Sequence, residues 1–527
     1  MANIMSKRGT QDNIITYEHY CDTKADLANI PKDQITLGST AVVLQDEDGS
    51  LGVYIAGSDK QWIAVAMSGG SGSGSGEGSS SSDGLKDFLE NDFSVFENSE
   101  VTKLRHFAFT ENLQLEDVSL PNCSIIDGGA FASCLSLTSL NFPALEKIGE
   151  PITYQVESVI FDYNTYTSSI AIVDVKGPGA FTGCTNLETI SMPVCSYIGE
   201  NAFTFCTNLS SINLPNVEII STAAFVNCSN LSNVEAPNCT YIGSSAFAST
   251  KLQNFSFPKC SIIENYAFAG CYNLTDINNN SVEEIGVGAF YNCNTYGSNG
   301  LIGLQSINFQ KCSKVEEVIM TVNGAYGAWI QQDILVGGTF STCSCLETVS
   351  FPLLESVVTD MFAYCASLSE VYLPNCKTIS PSAFYSCSSL TSITLTELEN
   401  FISSTVYVNG GVGPVQSTIG GAFKGCYNLE SINLPKCKKI VKNTFTFCSN
   451  LKYVYLPVCE EIEKLAFMGC SQLESLYLLS SSKVYFPEAF DSNDLQSTFK
   501  IYVPESLIEE YTISYNYLSS YFTPYTG

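Results

Sequence analysis

The chain has little of what most protein chemistry runs on. It holds two histidines, His19 and His106, two tryptophans, and 24 basic against 53 acidic side chains in 527 residues. Histidines so far apart give no Ser/His/Asp or Cys/His constellation. A formal charge of −29 argues against a nucleic-acid partner, whose phosphates need a basic surface. No apolar run reaches the length of a membrane-spanning helix, so no membrane insertion is expected. The opening MANIMSKRGTQDNIITYEHY lacks the apolar stretch of a secretory signal. A phosphate-cradling loop before a helix is missing, as are paired CxxC motifs for zinc. These absences leave no catalytic, cofactor-binding or metal residue to name, and a non-enzymatic protein is expected.

What the chain has in abundance is repetition. Between Gly179 and Phe247 one phrase of 22 residues occurs three times: AFTGCTNLETISMPVCSYIGEN, AFTFCTNLSSINLPNVEIISTA and AFVNCSNLSNVEAPNCTYIGSS. Aligned on its phenylalanine, the phrase starts fourteen units, at Phe109, Phe131, Phe181, Phe203, Phe225, Phe247, Phe268, Phe290, Phe340, Phe362, Phe384, Phe423, Phe445 and Phe467. The consensus is AFxxCxNLxxIxLPxCxxIGxx. Its LxxIxL part, as in Leu429, Ile432 and Leu434, points alternate side chains of a short strand inward. The Phe and the second Ile fill the far side of the coil. One such unit buries too little apolar surface to offset the entropy of ordering it, so units must stack into a quasi-one-dimensional array.

The 22 cysteines obey the same phase. Twelve fall three residues after the repeat Phe, from Cys134 to Cys470, and eight fall two residues after the Pro position, from Cys123 to Cys459. Two internal ladders of small buried thiols are the simplest account. Parallel side-chain directions disfavour bridging, and so many free thiols fit a reducing compartment. Cys21 and Cys345 lie off the ladders.

The rest of the chain is attachment, interruption or cap. Residues 1–67 carry no repeat, and the runs Thr40 to Leu44, Leu51 to Ile55 and Gln61 to Val65 predict a small β-meander. Residues 68–84, SGGSGSGSGEGSSSSDG, are a flexible Gly/Ser tether. Residues 85–108 read as the N-terminal cap, with Leu85, Phe88 and Leu89 at helical spacing and a first strand at Val101 to Leu104. The solenoid spans residues 109–490. Three insertions, near 149–177, 316–337 and 402–420, fall at one phase, just after the second Ile position. Each reads as strand, turn, strand projecting from one edge. A further loop surrounds Tyr296 to Gly300. Residues 491–527 close the array with a strand at Phe499 to Pro504, then a helix that lays Leu507 and Tyr511 over the last coil.

The unit AFxxCxxLxxIxLPxxxxxIGxxAF resembles the BspA-like subclass of leucine-rich repeats, over roughly residues 100–505. That resemblance implies a repeat solenoid with a parallel β-sheet and short helical turns. It also implies adhesion or recognition without catalysis or cofactor, as in bacterial surface proteins and some phage-encoded ones. Residues 1–67 resemble the N-terminal modules of gut-phage virion proteins such as head fibres. The matching pattern is Cys21-Asp-Thr-Lys-Ala-Asp-Leu-Ala28, then Leu37-Gly-Ser-Thr-Ala41, then Lys60-Gln-Trp62. Attachment of this module to virion structural proteins is what that likeness implies, with the repeats meeting a bacterial-surface or mucosal glycan or protein. The expected location is then the virion. A bacterial cell-surface adhesin and a purely structural capsid or fibre decoration are the alternatives, and homo-oligomerisation is compatible with all three.

Residues beside the inward Ile of each strand should line an open face. They are small and polar in early units (Glu188, Thr189, Ser191, Ser210, Ser211, Asn213, Ser232, Asn233) and turn to tyrosine later, at Tyr372, Tyr453, Tyr455 and Tyr477. Tyrosine among Ser and Asn is the chemistry of recognition surfaces, although tyrosine also simply suits strands. Trp329, in the second insertion, either packs its own hairpin onto the solenoid or tips a contact surface.

Overall fold

Each coil of the array turns on its phenylalanine. In the computed structural model the backbone is described for residues 5–11, 14–23, 40–45, 52–56 and 62–64. It is described again for 94–526 apart from 100, 105, 152, 163–166, 298–299, 317–337, 404–405, 409–414, 418–420 and 491–494. Two compact units, Met1–Thr250 and Lys251–Gly527, divide these residues. In the first, the rings of Phe109, Phe131, Phe181, Phe203, Phe225 and Phe247 stack nearly parallel, centroids 5.0–5.3 Å apart. In the second, Phe268, Phe290, Phe340, Phe362, Phe384, Phe423, Phe445, Phe467 and Phe490 do the same at 5.0–5.6 Å. Phe131 and Phe181 stack at 5.3 Å although an insertion separates them in sequence. Insertions therefore leave the pile of coils unbroken.

The first cysteine ladder binds coil to coil. Its thiols donate to the carbonyl of the phenylalanine one coil back, as Cys206 does to Phe181 at 3.1 Å, Cys228 to Phe203 at 2.9 Å, Cys343 to Phe290 at 3.0 Å and Cys448 to Phe423 at 3.2 Å. The second ladder closes its own turn, with Cys239 donating to the Tyr241 carbonyl at 3.3 Å and Cys437 to that of Lys439 at 3.3 Å. The 21 cysteines from Cys123 to Cys470 are all free and buried. In the shortened unit six Thr250 replaces the cysteine, and its hydroxyl donates within its own coil, to the Phe247 carbonyl at 2.8 Å.

Around each phenylalanine the chain alternates handedness. Phe109 lies between the left-handed residues Phe107 and Glu111, and Phe445 between Asn443 and Phe447. Bonds such as Cys134 N–H to the Phe131 carbonyl close tight turns between them. A left-handed residue every few positions stops a helix from propagating, so the helical turns expected here are successive tight turns.

Two columns of parallel strands result, where one sheet was expected. In the first unit the LxL column includes Ser139–Asn141 beside Thr189–Ser191 and Ser211–Asn213 beside Asn233–Glu235. The second Ile position forms its own column of two-residue strands, Ile125–Ile126, Lys147–Ile148, Tyr197–Ile198, Ile219–Ile220 and Tyr241–Ile242. An extra strand, Val95–Glu97, pairs with Asp117–Ser119, so the array starts one strand earlier than its first repeat Phe. Leu85, Phe88 and Leu89, and the tether 68–84, lie outside the described residues.

The N-terminal module is a five-stranded sheet. Thr40–Gln45, Gly52–Ala56 and Trp62–Ala64 form the expected antiparallel meander. Sequence reading missed Met5–Gln11 and Ile14–Thr23, which pair with each other, the latter running parallel to Thr40–Gln45. These strands are rich in polar residues, so their two-residue alternation is faint.

The first insertion is the antiparallel hairpin Thr153–Asp162 with Thr167–Lys176, Val156 facing Val173. The third pairs Val406–Val408 with Val415–Ser417. The second insertion, with Trp329, lies outside the described residues. The loop near Tyr296 is a hairpin too, Asn294–Gly297 with Gly300–Gly303. Each insertion returns to the array through a glycine pressed on the following coil. A Cβ at Gly179 would lie 2.2 Å from the Asn201 carbonyl oxygen, at Gly338 1.9 Å from that of Asp360, and at Gly421 1.8 Å from that of Asn443.

At the C-terminus Lys500–Pro504 and Phe522–Tyr525 extend the LxL column of the second unit. Between them, helix Ile508–Ser514 buries Tyr511 fully, while Leu507 is half-buried. The Tyr511 hydroxyl accepts from the Val484 N–H at 2.7 Å and that of Tyr515 from the Phe486 N–H at 3.0 Å. Pro524 on the outermost strand lacks a donor, which blunts that edge.

Two outcomes are expected. Gly338→Ala or Gly421→Ala forces backbone apart and should lower stability by about 1–3 kcal/mol, read as a fall in urea midpoint. An unchanged midpoint would show that the return segment is not packed on the next coil. The second concerns alkali. Burial pushes the thiols of Cys123 and Cys195 up to about 11, and those of Cys134, Cys239, Cys312, Cys376, Cys426, Cys437 and Cys459 up to about 12. The unfolded chain gives up these protons above about pH 8.5 while the folded chain keeps them. Stability is therefore full below that pH and is lost as pH rises towards 11–12, by about 1.4 kcal/mol per pH unit per thiol. The urea midpoint should be flat from pH 6 to 8 and collapse between pH 9 and 11. A midpoint that held through pH 10.5 would contradict buried protonated ladders.

Candidate functional site

With the inward side chains spent on packing, chemistry is left to the outer face of the LxL strands. In the first unit this face is small and polar: Thr189, Ser191, Ser211, Asn213 and Asn233 are all exposed beside buried Ile190, Ile212 and Val234.

The same face of the second unit has two distinct parts. The first lies over the parallel strands Asp276–Asn279, Ser306–Phe309, Thr348–Ser350 and Glu370–Tyr372. It forms a groove of about 680 Å³ whose floor includes Ile277, Ile307, Val349 and Ile393 and whose walls are Asn278, Asn308, Gln310, Thr348, Ser350 and Tyr372. Tyr372 stands opposite Ser350 and is 58% exposed. Ser306, Asn308, Thr348 and Ser350 are half-buried, unlike their exposed counterparts in the first unit. Side-chain bonds link these residues, two of them across neighbouring strands. The Ser306 hydroxyl donates to the Asp276 carboxylate at 2.5 Å, the Asn308 amide donates to the Asn278 amide oxygen at 3.1 Å, and the Gln310 amide donates to that of Asn308.

The second part is aromatic. Ser431–Asn433, Tyr453–Leu456, Ser475–Leu478 and Lys500–Pro504 run parallel in one register, which sets Tyr455 beside Tyr477 and Tyr477 beside Tyr502. Ring centroids are 5.8 Å and 4.6 Å apart, the second pair stacked, and Tyr525 meets Tyr477 edge-on at 6.1 Å. Tyr453, in the neighbouring column, donates to the Glu474 carboxylate at 2.8 Å, and that bond pushes its phenol above the ordinary value. Of the tyrosines named from sequence, the structure brings Tyr453, Tyr455 and Tyr477 together and sets Tyr372 in the groove. Sequence reading missed Tyr502 and Tyr525. Tyr502 follows Ile501 as Tyr477 follows Leu476, a spacing that could have found it.

His106 is structural: its Nδ1 lies 3.0 Å from the Gly128 carbonyl oxygen. Among the described residues no group of three or more His, Cys, Asp or Glu comes together as a metal site would need. No described helix is long and apolar enough to cross a membrane.

Stacked coils bearing AFxxC turns and parallel LxL strands define a leucine-rich-repeat solenoid. The chain belongs to the BspA type leucine-rich-repeat family, whose model matches residues 93–159, 174–297, 240–326, 331–412 and 416–525. A leucine-rich repeat protein from Bacteroides ovatus ATCC 8483 shares the fold, at 21% identity and a TM-score of 0.52, over 78% of this chain and 92% of that one. A leucine rich cell surface protein from Faecalibacterium prausnitzii A2-165 aligns at 16% identity and a TM-score of 0.32, over 84% and 94%. A search among curated proteins found no match.

Proposed function

We propose that the chain is a non-enzymatic recognition or adhesion protein that meets its target through the strand face of the second unit. The observation that carries this is the change along that face, in one register, from small polar residues to the ladder Tyr455, Tyr477 and Tyr502. Tyr453 is exposed and Tyr455, Tyr477 and Tyr502 are half-buried, and tyrosine among Ser and Asn gives large contact area at little entropic cost. In this reading residues 1–67 anchor the protein to virion structural proteins and the repeats reach a bacterial-surface or mucosal ligand. The virion part stands on the likeness of the Cys21 to Ala28 and Lys60 to Trp62 segments to virion modules. Membership in a repeat family of bacterial surface proteins favours a second reading, a cell-surface adhesin.

Replacing Tyr453, Tyr455, Tyr477 and Tyr502 together by serine should cut adsorption of the full chain to bacterial cells or mucin at least tenfold, with the thermal midpoint little changed. Two or three lost tyrosine contacts are ample for that, tenfold being about 1.4 kcal/mol. Undiminished adsorption would remove this face from the site. Co-sedimentation with virions, against labelling at the surface of intact cells, decides between the two locations.

A further inference from the structure

The groove over Asp276 to Thr394 differs in chemistry from the tyrosine ladder beyond it. Of its sixteen lining residues Glu370 alone carries a charge, in a chain of net charge −29. Its aliphatic members Ile277, Ile307, Val349 and Ile393 are 1–7% exposed and Val371 is half-buried, so the surface offered to a ligand is mainly hydroxyl and amide, with Val371 and Tyr372 adding apolar area. Protein partners are held by clustered aromatic, arginine and apolar anchors, and Tyr372 is the one aromatic here. A cationic or anionic ligand would find no array of opposite charges.

The amides are also pre-set. The Asn308 side chain gives one N–H to Asn278 and receives one from Gln310 at its oxygen. A primary amide has two N–H groups, so each of these links leaves its donor a second N–H with its plane already fixed. Beside them stand the hydroxyls of Ser306 and Thr348, paired across neighbouring strands, and of Ser350, opposite Asn308. Tyr372, 58% exposed at the rim, supplies an aromatic surface against which the C–H side of a sugar ring can lie. A volume of about 680 Å³ falls within the range of small-ligand sites, about 300–1,000 Å³.

We infer that this groove binds a neutral glycan chain laid across the strands, its hydroxyls exchanging hydrogen bonds with Asn278, Asn308, Ser350 and Gln310 and one ring resting on Tyr372. The inference rests on the recognition reading above and names its ligand class. A neutral glycan can come from a bacterial envelope or from mucin.

The test immobilises bacterial envelopes and, separately, mucin, each untreated or oxidised with periodate, which cleaves the vicinal diols of sugars. The full chain is compared with Asn308→Ala, Tyr372→Ala and the double variant. Expected is retention on at least one untreated surface that is lost after periodate and changes less than twofold between 50 and 500 mM salt, since no ion pairs are involved. The double variant should bind at least tenfold more weakly at an unaltered thermal midpoint, and the surface that retains the chain names the source. A charge-neutral substitution with little burial, Tyr372→Ser, repeats the test if the double variant fails to fold. Retention that survives periodate, or that falls steeply with salt, overturns the glycan and indicates a protein or charged ligand while leaving the recognition reading intact. Periodate-sensitive retention that the groove variants do not weaken places the glycan elsewhere and overturns the site. Absence of retention on every untreated surface overturns the recognition reading, and this inference with it.

Discussion

Everything in the molecule answers to one constraint: a coil of 22 residues is not stable by itself and must be laid on an identical neighbour. Two interactions meet that need at the same point. The phenylalanine rings stack at 5.0–5.6 Å, adding offset aromatic contact to their burial. The neighbouring thiol donates to the carbonyl of the phenylalanine one coil back, a backbone acceptor that already takes the cysteine N–H of its own tight turn and has a second lone pair to offer. Cysteine suits the position because it is a small buried apolar side chain that still has a proton to give. Serine would give a stronger bond and lose apolar volume.

That economy explains why so much apparent chemistry comes to nothing. Twenty-two cysteines could suggest metal, redox or disulfide work, yet the ladder thiols are free and buried, many donate to backbone carbonyls, and burial pushes those of Cys134 and Cys437 up to about 12. A residue can serve recognition only where the stack does not claim it. Those places are the outer face of the LxL strands and the insertions, the first of which leaves the ring spacing of the stack unaltered. The return glycines show the cost of such freedom: the chain must squeeze back against the next coil at less than a side chain's width.

Much of the fold was legible in the sequence because the repeat imposes its own alignment. The phase of Phe131, Cys134, Leu137, Leu140 and Ile148 predicts which side chains are inside, and all five are buried. The hairpin at Gln155 to Val173 was visible in its alternation and in its position between two repeat units. Less legible were strands whose pattern is polar, such as Met5–Gln11, and the extra strand Val95–Glu97, which precedes the first repeat Phe and so has no consensus to mark it. Tyr453, Tyr455 and Tyr477 could be named as neighbours from register alone, while Tyr525 could not, since it reaches Tyr477 by way of the capping helix and a returning strand.

Sequence by itself determined the period, the inward positions, the two thiol ladders and the common phase of the insertions, because each is a property of spacing along one chain. Tertiary structure alone decided that the second Ile position forms a column of strands, that Tyr525 joins the tyrosine ladder, and that a groove opens beside half-buried Asn308 and Ser350 where the same register in the first unit, at Ser191 and Asn213, is exposed. The physical reason is that a repeat encodes what one coil shares with the next. A groove arises from small departures accumulated across several coils, and those appear only when the coils are stacked.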